Sequence, residues 1–270
     1  MNPNPNKALW EKGDFTRIAG AMRESGDALE SLGIRKGMKV LDLGSGDGTT
    51  ALPAARRGAE VLGVDIAANL VAAGNRRAAE AGLANLRFLE GDASDLKDLR
   101  DQTFDLVISI FGAMFAPRPM DVAREMVRVV KPGGRIVMGN WLPGDPTLVA
   151  QILKISSAYA PPPPAGFVSP MLWGVDKEVI ERFGAAGVPR EKIHFARDTY
   201  TFHFDGTPAD AVDVFRQYYG PTMNAFEGAE ENGRSEDLKR DLVTLFTAQN
   251  RTPGEGTTVP ATFLRVIVTR

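Results

Sequence analysis

The residues best placed to do chemistry fall in one stretch, Val40-Leu-Asp-Leu-Gly-Ser-Gly-Asp-Gly-Thr-Thr50. Val40, Leu41 and Leu43 read as a buried strand, Gly44 to Gly48 as a sharp turn, and Thr49 onward as helix. With glycine at three of the five turn positions, the main chain of Gly44, Ser45 and Gly46 is open to a ligand beside a helix N-terminus. The spacing is G-x-G-x-G. A dinucleotide fingerprint needs G-x-G-x-x-G, and Thr49 holds the place of its third glycine. Asp42, just before the turn, disfavours a pyrophosphate and suits a cationic ligand. Asp65 follows about 20 residues on, at the end of the next apolar run, where a carboxylate accepts from ribose hydroxyls.

The elements that must position these groups alternate. Glu60 to Val64 reads as a second strand, Ala67 to Ala81 as an Ala-rich helix, Asn85 to Glu90 as a third strand and Phe104 to Ile110 as a fourth. The fourth is a near-continuous apolar run, which suits a strand covered on both faces. Asp121 to Val130 is an amphipathic helix, ended by Lys131-Pro-Gly-Gly134 before a fifth strand, Arg135 to Asn140. Upstream, residues 1–8 read as disordered and Trp10 to Leu32 as helical, with an interruption at Ser25-Gly26-Asp27. Downstream, helices are expected over Asp145 to Tyr159 and Asp176 to Phe183. Between them lie a stiff proline run at 160–166 and an apolar segment, Phe167 to Gly174, that something must cover. Lys192 to Phe204 and Thr262 to Thr269 read as strands. Residues 205–261 are too many for a tight turn between them and carry helical patterns near Pro208–Tyr219 and Glu236–Gln249.

Three segments carry a resemblance. Val40 to Gly48 resembles the first motif, (V/L)-L-D-L-G-x-G-x-G, of the class I S-adenosylmethionine-dependent methyltransferases. Gly91-Asp-Ala-Ser-Asp-Leu96 resembles their G-D-A-x-x-L motif, and Val127-Arg-Val-Val-Lys-Pro-Gly-Gly-Arg-Ile-Val137 their L-R-V-L-K-P-G-G-x-L segment. The resemblance spans about residues 36–142 and is most similar to the ubiquinone/menaquinone-biosynthesis type. It implies a Rossmann-like, doubly wound α/β fold: a seven-stranded, mostly parallel sheet with an antiparallel last strand. The domain would cover 36–270, with a helical insertion at about 205–258, behind an N-terminal helical lid at 1–35.

The same resemblance implies S-adenosyl-L-methionine as cofactor. Asp65 would hold the ribose, Ile66 would lie on the adenine face, and Asp92 and Ala93 would bind the adenine edge. Ser109, Ile110 and Phe111 would wall the methionine part, with Met114 and Phe115 lining the same cleft. Trp10, Phe15 and Arg17 of the lid, and Tyr218 or Tyr219 of the insertion, are the remaining candidates for contact with a small-molecule acceptor.

Composition narrows the partners. A formal charge of -2 argues against a general nucleic-acid binder. Without cysteine there is no disulfide, thiolate metal site or cysteine nucleophile, and no metal is assigned. The first residues lack a signal pattern and no apolar run is long enough to span a bilayer, so a cytoplasmic protein is expected. A homodimer is compatible with these features. Neither His194 nor His203 has a metal-ligand neighbour, and no catalytic base is assigned; displacement at a sulfonium releases a neutral leaving group and needs no acid. Two other readings stay open: an NAD(P)-dependent oxidoreductase, and a non-enzymatic cofactor-binding regulator on the same fold.

Overall fold

A computed structural model describes residues 4, 6–23, 32–160, 162–163 and 166–270. Seven strands form one sheet in the order β3-β2-β1-β4-β5-β7-β6. They are β1 (Lys39–Leu43), β2 (Glu60–Asp65), β3 (Leu86–Glu90), β4 (Phe104–Ile110), β5 (Val130–Trp141), β6 (Ile193–Phe204) and β7 (Thr257–Thr269). The first five pair in parallel, and β7 runs antiparallel to both β5 and β6. From β1 the chain winds outward through β2 and β3 on one side, then returns to place β4 and β5 on the other. The strand order therefore reverses between β1 and β4, which leaves a crevice beyond their C-terminal ends.

Both faces are covered, which explains the apolar runs. Leu41, Leu43, Val107, Ile136 and Met138 pack into one buried cluster; Val40, Leu106, Ile108 and Val137, one residue out of phase, pack into the other. Against the sheet lie helices α3 (Ala51–Arg56), α4 (Ala68–Glu80), α5 (Pro119–Val129), α6 (Leu148–Ser157) and α7 (Asp176–Ala185). In α5 the buried set Val122, Ala123, Met126 and Val129 follows helical spacing.

Several expectations need correction. Residues 6–8, read as disordered, belong to helix α1 (Asn6–Glu11), whose Lys7 ammonium donates to the Ile66 carbonyl at 3.0 Å and pairs with Glu90 at 2.5 Å. The single helix expected from Trp10 is broken: α2 (Phe15–Gly20) starts afresh, with Asp14 accepting from the Thr16 backbone N–H. The expected interruption at 25–27 lies outside the described residues, as do positions 161, 164 and 165 of the proline run. Lys131–Gly134 do not precede β5 but bulge within it, since Phe104 pairs with Val130 and Leu106 with Arg135. Of the apolar segment at 167–174, Trp173 is buried, while Phe167 (55 %) and Val168 (40 %) are exposed.

The interval between β6 and β7 holds three helices, α8 (Pro208–Tyr218), α9 (Gly220–Glu231) and α10 (Ser235–Gln249). α9 escapes a sequence reading because Gly220-Pro221 looks like a breaker; Pro221 instead stands in the first turn, where a missing N–H costs nothing. This insertion grips the N-terminal helices. A Cβ on Gly13 would lie 2.3 Å from the Tyr218 carbonyl oxygen, and one on Gly220 2.3 Å from that of Leu9, so the close approach needs glycine at both. Lys12 adds hydrogen bonds of 2.6 Å to Asn224 and Glu227.

Candidate active site

A cleft of about 980 Å³, counting its open mouth, lies over the C-terminal ends of β1 to β4. Thirteen expected residues line it: Asp42, Gly44, Ser45, Gly46, Asp65, Ile66, Asp92, Ala93, Ile110, Phe111, Phe115, Trp10 and Phe15. The glycine turn is held by its neighbours. Gly44 adopts φ +65°, and a Cβ there would meet Gly112 Cα at 2.5 Å. Only glycine combines that dihedral with that approach.

Of the four carboxylates that line the cleft, three were expected from sequence. Asp65 accepts from the Gly46 backbone N–H at 2.8 Å through one oxygen and from the Ala67 N–H at 2.9 Å through the other, so it braces both the glycine turn and the entry to α4. Burial pushes its carboxyl up against the pull of these N–H groups. Asp42 is fully enclosed; burial, then the like charge of Asp65, raises its pKa to about 8, while the Ala51 backbone N–H opposes. Asp42 Oδ2 and Ser45 Oγ, buried atoms of two cleft-lining residues, have no hydrogen-bond partner among the described residues. Asp92 accepts from Ser94 through Oδ1 (2.8 Å from N, 2.6 Å from Oγ), and its Oδ2 accepts from the Asn4 side-chain amide at 3.1 Å.

Four expected residues stand elsewhere. Ser109 does not reach the cleft: its Oγ donates to the Leu43 carbonyl (2.7 Å) and accepts from the Ala113 N–H (2.8 Å), tying the ends of β1 and β4 together. Met114, at 1 % exposure, packs into the core through the short 3₁₀ turn Ala113–Phe115, which turns it away from the cleft. Tyr218 lines neither cavity, because the last turn of α8 points its neighbour Tyr219 inward instead. Arg17 is largely exposed (67 %), beside Asp14 and over the Tyr218 ring.

Other residues escape a sequence reading. Asp47, buried in the glycine turn, pairs with Arg23 from the N-terminal segment, and Arg77 of α4 donates to its carbonyl at 2.6 Å. Its place between two turn glycines was the available signal. Asn4 and Asn6 line the cleft, and Asn6 donates to the Phe115 carbonyl at 2.5 Å. Tyr200 reaches the cleft from β6 while its hydroxyl donates to the Met22 carbonyl at 2.8 Å; no local pattern marks it.

A second, narrow chamber, about 440 Å³ counting its open mouth, adjoins the first. Trp10, Phe15, Met22, Phe111 and Phe115 line both and form a common wall. Phe111 holds φ +62°, a strained value for a bulky residue, locked by ring stacking on Trp141 at 3.6 Å. Trp10 packs edge-on to Phe115 at 5.0 Å and Phe15 at 5.6 Å. Tyr219 closes the far side.

Comparison with known proteins agrees with this geometry. The methyltransferase domain family matches residues 41–138. An uncharacterised protein of Mycobacterium tuberculosis is 34% identical over 232 residues, 84% of this chain and 81% of that protein. A demethylmenaquinone methyltransferase from a Geobacillus strain is 39% identical over 114 residues, 41% of this chain and 48% of that enzyme. Among solved structures, the YcgJ protein of Bacillus subtilis shares the fold with a TM-score of 0.58 at 20% identity, over 91% of this chain and 97% of that one. The chain belongs to the class I S-adenosylmethionine-dependent methyltransferases, and S-adenosylmethionine is its cofactor. The cleft suits that molecule: Asp42 and Ser45, each with an oxygen unsatisfied among the described residues, line it together with a glycine cradle that lets a ligand approach the main chain. Among the described residues, no helix is long and apolar enough to cross a membrane, and no group of three or more metal-ligating side chains could hold an ion.

Proposed function

We propose that this chain transfers the methyl group of S-adenosylmethionine to a small, largely apolar acceptor seated in the aromatic chamber. One observation carries the reading: a cleft edged by carboxylates and an apolar chamber meet across a single wall, so a donor in one and an acceptor in the other come face to face. When bound, the cofactor supplies the activated methyl group. Asp65 holds the ribose hydroxyls, Ile66 covers the adenine, and Asp92 with the Ala93 N–H reads the adenine edge. Asn4 now donates to Asp92 where an exocyclic amine would. Asp42 and the Gly44–Gly46 turn, with Ser45, take the cationic end. Ile110, Phe111 and Phe115 position the acceptor and exclude water.

In this reading residues 1–35 form a lid on the 36–270 methyltransferase domain, and the insertion at about 205–258 completes the acceptor site. Its support is the glycine-permitted contact of Gly13 with the Tyr218 carbonyl and of Gly220 with that of Leu9. No observation favours an oxidoreductase, since Thr49 still stands where a dinucleotide fingerprint needs glycine. Calorimetric titration tests the assignment: S-adenosylhomocysteine is expected to bind at least about tenfold tighter than NADH. Tighter binding of NADH would overturn it.

A further inference from the structure

Among the described residues, every carboxylate, imidazole and amine stands outside the lining of the aromatic chamber. Asp42, Asp47, Asp65 and Asp92 line the cleft and not the chamber, and Asp47 is paired with Arg23 and Arg77. Neither described lining contains a lysine or an arginine, and His194 and His203 are exposed on β6. Tyr200, on the cleft side, donates to the Met22 carbonyl. Tyr219 alone brings an ionisable group to the chamber. Its hydroxyl forms no hydrogen bond with the described residues, and burial pushes its pKa upward, so it stays protonated and free to donate. The rest of the lining, including Trp141, Phe202 and Phe215, is apolar.

We propose that the chamber takes an aromatic acceptor whose single acid group is already ionised near neutral pH, and that the Tyr219 hydroxyl holds this anion. The inference rests on the methyltransferase reading above. An acceptor that arrives as an anion needs no protein base. Its lone pair forms the new bond to the methyl carbon, the carbon–sulfur pair returns to sulfur, and two opposite charges become two neutral products without proton movement. A water-poor, apolar wall strengthens the attraction between those charges. An alkyl amine, protonated at neutral pH, would need a base that the described lining lacks. The aromatic lining suits a planar partner.

The test uses the full chain. Ring-substituted phenols, thiophenols and benzoates of graded acidity, with anilines and alkyl amines as controls, are titrated calorimetrically in the presence of S-adenosylhomocysteine or of sinefungin, a stable cationic analogue. Methyl transfer is followed in parallel with labelled cofactor. Aromatic anions are expected to bind at least about fivefold tighter with the cationic analogue. The pH midpoint of their affinity should follow each acceptor's own acidity, and the arm that turns over identifies the oxygen, sulfur or carboxylate class. Tyr219→Phe should weaken anion binding about fivefold to tenfold and leave S-adenosylhomocysteine affinity unchanged. One pH midpoint shared by all acceptors, or preference for the amines, would overturn the proposal. So would failure of every aromatic anion while S-adenosylhomocysteine still binds. Failure of S-adenosylhomocysteine itself to bind would instead remove the methyltransferase reading.

Discussion

The cleft and the chamber share five side chains yet are built in opposite ways. The acidic edge of the cleft is made of the ends of successive strands, and its polar atoms are backbone N–H groups and short carboxylates. The chamber gathers side chains from α1, α2, β5, α6, β6 and α8, all of them bulky and apolar apart from Tyr219. A backbone-built site is specified by dihedral angles and tolerates little change. A site lined with side chains can be reshaped one residue at a time. The cleft is therefore fixed largely by backbone geometry, and the chamber by side chains that can be exchanged one at a time.

Substitutions can break this contrast, beginning with the most severe. Gly44→Ala forces a Cβ to within 2.5 Å of Gly112 Cα at a positive φ. We expect a loss of about 2–4 kcal/mol in stability by denaturant titration, and no S-adenosylhomocysteine binding at concentrations that saturate the wild type. Met114→Ala should cost a similar amount, about 2–5 kcal/mol, by opening a core cavity. Its folded fraction should bind S-adenosylhomocysteine normally, which separates a core residue from a cleft residue.

Asp65→Asn keeps the shape and removes the charge. Calorimetry should show S-adenosylhomocysteine affinity falling about tenfold to fiftyfold, with acceptor binding to the free protein unchanged. A matching loss in the chamber would show that the two halves are coupled.

The smallest effect concerns protons. The folded Asp42 carboxyl titrates near 8 against an ordinary value of 3.8. Its contribution to stability is therefore complete below the ordinary value and is lost as pH rises through about 8. A cationic ligand favours the charged form, so binding at pH 7 should expel a proton. Titrations in buffers of differing ionisation enthalpy would count it, and Asp42→Asn should abolish it.

Much of the cleft's lining was legible in sequence because its signals are local. Asp42, Gly44, Ser45 and Gly46 lie within five residues, and Asp65 follows at a spacing set by one helix and one strand. Ser109 and Met114 misled for the opposite reason. Ser109 stands at the expected strand end and Met114 in the turn after it, but the Ser109 hydroxyl is consumed by Leu43 and Ala113, and the 3₁₀ turn rotates Met114 into the core. The choice between Tyr218 and Tyr219 turned on a helix end whose phase no local pattern reveals.

Taken alone, the chain's residues determined the glycine turn, the parallel strands and the acidic groups at their ends, because hydrophobic period and backbone preference act over a few residues. Only the tertiary structure decided that Trp10, Trp141, Phe202 and Tyr219 enclose one space. Those side chains come from segments up to two hundred residues apart. Their meeting depends on how helices dock on the sheet, down to a pair of glycines that let the N-terminal helices touch the insertion's backbone.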